Sequence, residues 1–111
     1  MEEDFLSLVA QAKALNSKVF SLARLELLAG LAAYGPDGVT YRELKAGLGL
    51  TDGALFANLK ALREMGYLNS KTVKFEEKEL ELFCITPEGS AQWKQVRAWL
   101  CQFVACGRDR T

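Results

Sequence analysis

Residues 40–68 read TYRELKAGLGLTDGALFANLKALREMGYL, and they restrict the fold more tightly than any other stretch. Thr40 and Glu43 stand three apart before a short apolar-periodic run. The hydroxyl can take one orphan N–H of a helix start, and the carboxylate can reach back to another. This spacing predicts a short helix to about Ala46, ended by Gly47 and Gly49. Thr51 is then a second N-cap, and Asp52 suits the positive end of the next helix. That helix spans 52–65 and carries Leu55, Leu59 and Leu62 on one face. Gly66 supplies the left-handed residue that stops it. Two helices joined by a tight glycine-containing turn define a helix-turn-helix.

The flanks extend this unit. Phe5, Leu8, Val9, Ala12 and Leu15 recur at helical spacing over 3–15. Asn16 and Ser17 break the pattern, and Ser17 is the expected cap of a helix over 18–34 with Leu25, Leu27, Leu28 and Leu31. That helix ends in a turn at Gly35-Pro36-Asp37-Gly38. After Gly66, Val73 and Phe75 alternate with Thr72 and Lys74. Leu80, Leu82 and Cys84 alternate with Glu79, Glu81 and Phe83, which are expected on the outer face. Glu76, Glu77 and Lys78 form the polar turn of a hairpin. Thr86-Pro87 opens a last helix over 87–105 with Trp93, Val96, Trp99, Leu100 and Phe103. The tail GRDRT is expected to fray. The expected fold is mainly α with a two-stranded β wing (α+β). It is a winged helix-turn-helix with extra N- and C-terminal helices, in one domain over 1–111. Within it, 3–15 is the N-terminal helix, 18–86 the core and wing, and 87–105 the C-terminal helix.

Composition narrows the function classes. Half the residues are hydrophobic and a quarter are charged, so a core can form without staples. Lys+Arg and Asp+Glu balance at 14 each, which argues mildly against nucleic acid as a partner. The distribution is more favourable. Over 40–78, seven basic residues meet five acids, an excess of +2, while the first sixteen residues carry −2. The cysteines, Cys84, Cys101 and Cys106, have no paired spacing, and the start MEEDF is acidic. Neither fits a secreted disulfide framework or a signal peptide, so a reducing cytoplasmic setting is expected. With no histidine, no glycine-rich phosphate loop and no partnered nucleophile, neither enzyme activity nor a metal or cofactor is expected.

Several runs together resemble the small winged-helix transcriptional regulators related to the MarR and ArsR types. ARLELLAGL (23–31) is similar to the start of the DNA-binding core, and residues 40–68 to its helix-turn-helix. FCITPEGSAQW (83–93) is similar to the junction after the wing, where such proteins carry Leu-Thr-x-x-Gly. The likeness implies double-stranded DNA as a partner and a homodimer acting as a repressor. Two departures stand out: Phe56 and Asn58 occupy positions where such proteins often carry Ser and His. The dicysteine metal site of some ArsR-type sensors is absent.

The expected DNA-binding set is Thr51, Asp52, Gly53, Phe56, Ala57, Asn58 and Lys60 on the second helix and Arg42 on the first. Lys71, Lys74 and Lys78 on the wing complete it by holding phosphates. Among these, Asn58 and Lys60 have the donors that read base edges, while Phe56 and Ala57 can touch a thymine methyl. The outer helices carry more apolar surface than one small domain easily buries. A two-fold interface is therefore expected from Phe5, Leu8, Val9, Ala12, Trp93, Val96, Trp99, Leu100 and Phe103. Three alternatives stay open: a protein-interaction module on the same fold, an effector held between the aromatic helices and the core, and a redox-sensing thiol at Cys101 or Cys106 near Arg108 and Arg110.

Overall fold

The computed structural model describes residues 2–106, with side chains from Phe5 onward. The elements are α1 (Glu2–Ala12), α2 (Leu22–Tyr34), β1 (Val39–Thr40), α3 (Tyr41–Leu48), α4 (Asp52–Glu64), β2 (Leu68–Phe75), β3 (Lys78–Ile85) and α5 (Pro87–Cys106). The tail from 107 lies outside the described residues. The sheet is antiparallel in the order β1-β3-β2. No described helix is long and apolar enough to cross a membrane.

The second helix begins later than Ser17. Asn16 caps a 3-10 turn at Ser17–Val19, which drives Val19 fully into the core. Ser21 then caps α2, its hydroxyl accepting from the Arg24 N–H at 3.2 Å. Two serines four apart offer two possible caps, and burial of Val19 selects the later one. Further on, the predicted caps appear. Thr40 and Glu43 form the capping box, with N–H···O distances of 3.1 and 3.0 Å. Gly66, at φ +83, ends α4 with its N–H on the Arg63 carbonyl (2.9 Å) and the Tyr67 N–H on Leu62 (3.0 Å). That pair is a Schellman motif.

The wing departs from expectation in three ways. Its turn has two residues, Glu76 and Glu77, both at positive φ, and Lys78 lies in β3. A third strand, β1, pairs Val39 with Phe83 and Thr40 with Leu82. Phe83 is not an outer residue but part of the core, while Phe75 and Leu80 are exposed. Near its base the sheet is covered on both faces, so strict alternation fails there. Phe83 faces the helical core, and Cys84 on the other face lies 3.9 Å from the Pro36 carbonyl.

The core joins Val19, Leu27, Leu28, Leu31, Leu44, Leu55, Leu59 and Leu62 to Val39, Leu68, Phe83 and Val96. The start of α5 is pinned to the end of α4. Thr86 donates its hydroxyl to the Gly66 carbonyl (2.6 Å) and accepts from the Gly89 N–H (2.9 Å), while its own N–H donates to Tyr67 (3.0 Å). Gly89 has no room for a side chain, since a Cβ there would fall 2.2 Å from the Tyr67 carbonyl oxygen. The Thr-x-x-Gly spacing therefore has a steric cause. By contrast, α1 contributes nothing to the core cluster and packs on α5. Its Leu8 is buried there, and the Trp99 indole donates to the Leu8 carbonyl at 2.7 Å. The chain measures 59 × 27 × 21 Å, with a radius of gyration of 16.4 Å. A compact chain of this length would give about 13 Å.

Candidate nucleic-acid interface

The turn between α3 and α4 is held by polar side chains. The Lys45 ammonium lies 3.0 Å from one Asp52 oxygen, and the Tyr41 hydroxyl donates to the other at 3.0 Å. The hydrogen bond from Lys45, then that from Tyr41, holds the Asp52 carboxyl below its ordinary range. Desolvation and the bond to Asp52 raise the Tyr41 hydroxyl above its own. Glu43 is lowered by its bonds to the Thr40 backbone and hydroxyl. Asp52 thus links α3 to the start of α4 through an exposed ion pair and a hydrogen bond.

Beyond this corner, α4 presents one exposed face. Thr51 accepts from the Ala54 N–H at 3.1 Å, so its hydroxyl is a cap. Gly53 opens on empty space, and Ala57 and Lys60 are exposed. Phe56 is 65% exposed, so it does not complete the core. Asn58 departs from the expected face. It is half-buried, accepts from the Arg24 side chain (Nε) at 2.9 Å and donates to the Ala54 carbonyl at 2.8 Å. One amide N–H and one oxygen lone pair are thus engaged inside the chain, which turns the side chain partly away from the exposed face. Arg63 joins that exposed face. It lies one turn beyond Lys60 on the exposed side and donates to the Ser70 hydroxyl at 3.2 Å. Following the 56, 60 spacing for one more turn would have found it.

Between α4 and the wing lies a groove of about 380 Å³. Tyr41, Leu59 and Phe83 are among its lining residues, with Phe56, Lys60, Arg63 and Glu81. The groove therefore combines aromatic surface with two cations and one carboxylate.

The three wing lysines do not converge. Residues paired across an antiparallel ladder share a face. Lys74 pairs with Glu79 and Thr72 with Glu81, on the face that carries Phe83. Lys71 and Lys78 lie on the other face, with Val73, Phe75, Leu80 and Leu82. Lys71 donates to the Pro36 carbonyl at 3.0 Å, tying the wing to the turn before β1. The basic excess counted over 40–78 also stops short of Glu79 and Glu81. The hairpin carries three lysines against four glutamates, two of them at its tip. The wing is thus slightly acidic; Arg42, Lys45, Lys60 and Arg63 are exposed on the helix-turn-helix, Lys45 being paired with Asp52, and Lys74 is exposed on the wing.

Of the residues expected at a two-fold interface, Phe5, Val9 and Phe103 are exposed and Ala12 is half-buried. Leu8 and Val96 are buried within the chain and have no surface to offer a partner. Trp93 and Leu100 pack against the core. Trp99 is engaged internally, stacked on Phe103 at 4.7 Å and edge-on to Phe20 at 5.8 Å. Leu6 and Val104, not anticipated, are each more than two-thirds exposed. An open cavity of about 390 Å³ borders Leu15, Gln95 and Trp99, near the place expected for an effector. Cys84 is buried, and Cys101 and Cys106 are exposed free thiols. Arg108 and Arg110 lie outside the described residues. No group of metal-ligating side chains occurs among the described residues.

Two crossed helices, a capped and exposed second helix and a hairpin beside it define a winged helix-turn-helix. The family of winged helix DNA-binding domains matches residues 23–104, and the chain belongs to that family. It is a family of DNA-binding proteins, not of enzymes. No curated protein matches the chain significantly. Several solved structures share the fold. A zinc-responsive MarR family member, ZitR of Lactococcus lactis, is 18% identical with a TM-score of 0.60, over 78% of this chain and 58% of that one. The transcriptional repressor BigR of Xylella fastidiosa is 20% identical with a TM-score of 0.59, over 99% and 100%. A mutant of S. aureus MepR bound to an oligodeoxyribonucleotide is 12% identical with a TM-score of 0.61, over 98% and 78%.

Proposed function

We propose that this chain is a dimeric, sequence-selective DNA-binding regulator of transcription, acting as a repressor. The observation that carries the reading is the exposed face of α4. In its first two turns Gly53 and Ala57 leave the backbone little screened beside the exposed Phe56, and Lys60 and Arg63 extend along it. A helix of this kind can enter the major groove with its first turn against base edges. Arg42 and Lys74 supply further charge for phosphates. The wing plays a smaller part than its lysines suggest, because its glutamates oppose the duplex.

The dimer rests on α1 and the end of α5. Phe5, Leu6, Val9, Phe103 and Val104 leave exposed apolar surface on α1 and the last turn of α5. Pairing of two copies through that surface would present two α4 helices to a palindromic site. The repressor BigR and the DNA-bound MepR share the fold, which supports both the ligand and the regulatory role.

Phe56, 65% exposed, and Phe75, 61% exposed, favour a second reading, in which the same fold docks on a protein. The two are separated by duplex binding measured across a salt series. A regulator binds duplex at low salt and loses affinity steeply as salt rises. Its Lys60→Ala/Arg63→Ala variant loses most of that affinity and keeps its mass. If the parent binds no duplex, the DNA reading fails and the protein-docking surface around Phe56 replaces it.

A further inference from the structure

Asn58 sits on α4 where a base-reading side chain would be expected, yet both ends of its amide are used inside the chain. Its oxygen accepts from Arg24 Nε at 2.9 Å, and its nitrogen donates to the Ala54 carbonyl at 2.8 Å. Arg24 belongs to α2 and is also half-buried. A second nitrogen of the same guanidinium, Nη1, donates to the Lys18 carbonyl at 2.8 Å. One planar fork therefore spans two elements: the exposed helix α4 and the turn that precedes α2.

That turn is itself anchored. The Asn16 N–H donates to the Gln92 side chain of α5 at 2.9 Å. The Asn16 amide donates to the Tyr67 hydroxyl at 3.1 Å and accepts from the Lys18 N–H at 3.0 Å. A continuous polar chain runs from Gln92 on α5 through Asn16 and Lys18 to Arg24, and from there to Asn58 on α4. Leu55, Leu59 and Leu62 hold the buried face of α4 by packing. The fork adds directional bonds to α4 at its middle turn.

We propose that Arg24 is a positioning residue for the DNA-facing helix. Acting through Asn58, it fixes the roll of α4, and it ties that roll to the placement of α5 through Asn16 and Gln92. The inference rests on the reading of α4 as the DNA-binding helix. Rigid donors in a planar fork suit this role, because a lysine cannot hold two acceptors in one fixed geometry. Charge is not what the position requires.

The test uses the full chain and the duplex it enriches from a randomised pool, with a scrambled duplex beside it. Arg24→Lys keeps the charge and removes the fork. It should lose about tenfold in affinity for the enriched duplex, the scale of one charge-assisted hydrogen bond. Binding to the scrambled duplex should be unchanged, since the phosphate-facing charge is the same. Asn58→Ala should give a similar loss, and the double variant should lose no more than either single one. Gln92→Ala, remote from α4, should reproduce part of the effect and serves if Arg24→Lys fails to fold. Hydrogen exchange should quicken at the amides of 54–62 in each variant, while the α2 amides stay protected.

Three results would overturn the proposal. If Asn58→Ala alone weakens binding and relaxes preference at one base pair, Asn58 reads DNA directly. If Arg24→Lys weakens enriched and scrambled duplexes equally, alongside a fall in thermal midpoint, Arg24 is only a structural residue. Failure of the parent to enrich any duplex sinks the DNA reading itself, and with it this role. The exchange measurement still reports separately whether the fork restrains α4.

Discussion

Gly89→Ala should destabilise the fold, although alanine is the better helix former. A Cβ at position 89 would lie 2.2 Å from the Tyr67 carbonyl oxygen and 2.9 Å from the Ile85 side chain, where ordinary contact is 3.4–4 Å. The start of α5 and the start of the wing would have to part by more than an ångström. The Tyr67 carbonyl cannot readily retreat, since it accepts the Thr86 N–H at 3.0 Å. Overpacking of this kind costs about 1–3 kcal/mol. Weakening the Thr86 bonds to Gly66 and Gly89 adds about 1 kcal/mol. Alanine's helix preference returns at most about 1 kcal/mol. The net loss should be about 1–3 kcal/mol. Gly30→Ala is the control. Gly30 lies inside α2, and a Cβ there would meet no atom within 4 Å, so alanine should gain about 0.5–1 kcal/mol. Urea unfolding at matched protein concentration, followed by circular dichroism, reads both. If Gly89→Ala unfolds at the parent's midpoint, or both changes have the same sign, the steric account of the Thr-x-x-Gly junction is wrong.

The corner of the helix-turn-helix, the outer helices and the core each yield a further test. Asp52 titrates below its ordinary range because of Lys45 and then Tyr41. With the folded value depressed, its contribution is full above the unfolded value of about 3.9 and is lost as pH falls through the folded one. Asp52→Asn should therefore flatten the acid limb of the stability–pH curve, read from urea midpoints; an unchanged limb would count against the ion pair. Leu6→Glu with Val9→Glu should halve the mass seen by light scattering and leave a folded monomer by circular dichroism, because both residues are exposed on α1. An unaltered mass would remove α1 from the interface. Val96→Ala should instead cost about 2–3 kcal/mol in urea unfolding, through lost burial and a cavity. Lys60→Ala should lower the slope of log affinity against log salt by about one, and an unchanged slope would place Lys60 away from phosphates.

The helix-turn-helix is legible in the sequence because its signals are local. Thr40, Glu43, Thr51 and Gly66 act within four residues of themselves, and Leu55, Leu59 and Leu62 declare their face by spacing. The start of α2 is misplaced because Ser17 and Ser21 are equally good caps, and only the burial of Val19 decides between them. A two-residue strand such as β1 has no periodicity to read. Phe83 misleads because the base of the sheet is covered on both faces. The site is less legible than the fold. Asn58 and Trp99 look available for partners, but their own partners lie 34 and 91 residues away in the chain. The wing lysines look like one patch until strand register divides them between two faces. Spacing alone does not say whether Phe56 faces solvent or the core, and its exposure shows that the core does not need it.

The most direct test of the central claim is selection of duplex from a randomised pool by the full chain at low salt. The account predicts enrichment of a palindromic site, its half-sites about one helical turn apart, with affinity falling steeply as salt is raised. Retention of no duplex, or retention without sequence enrichment, would contradict it.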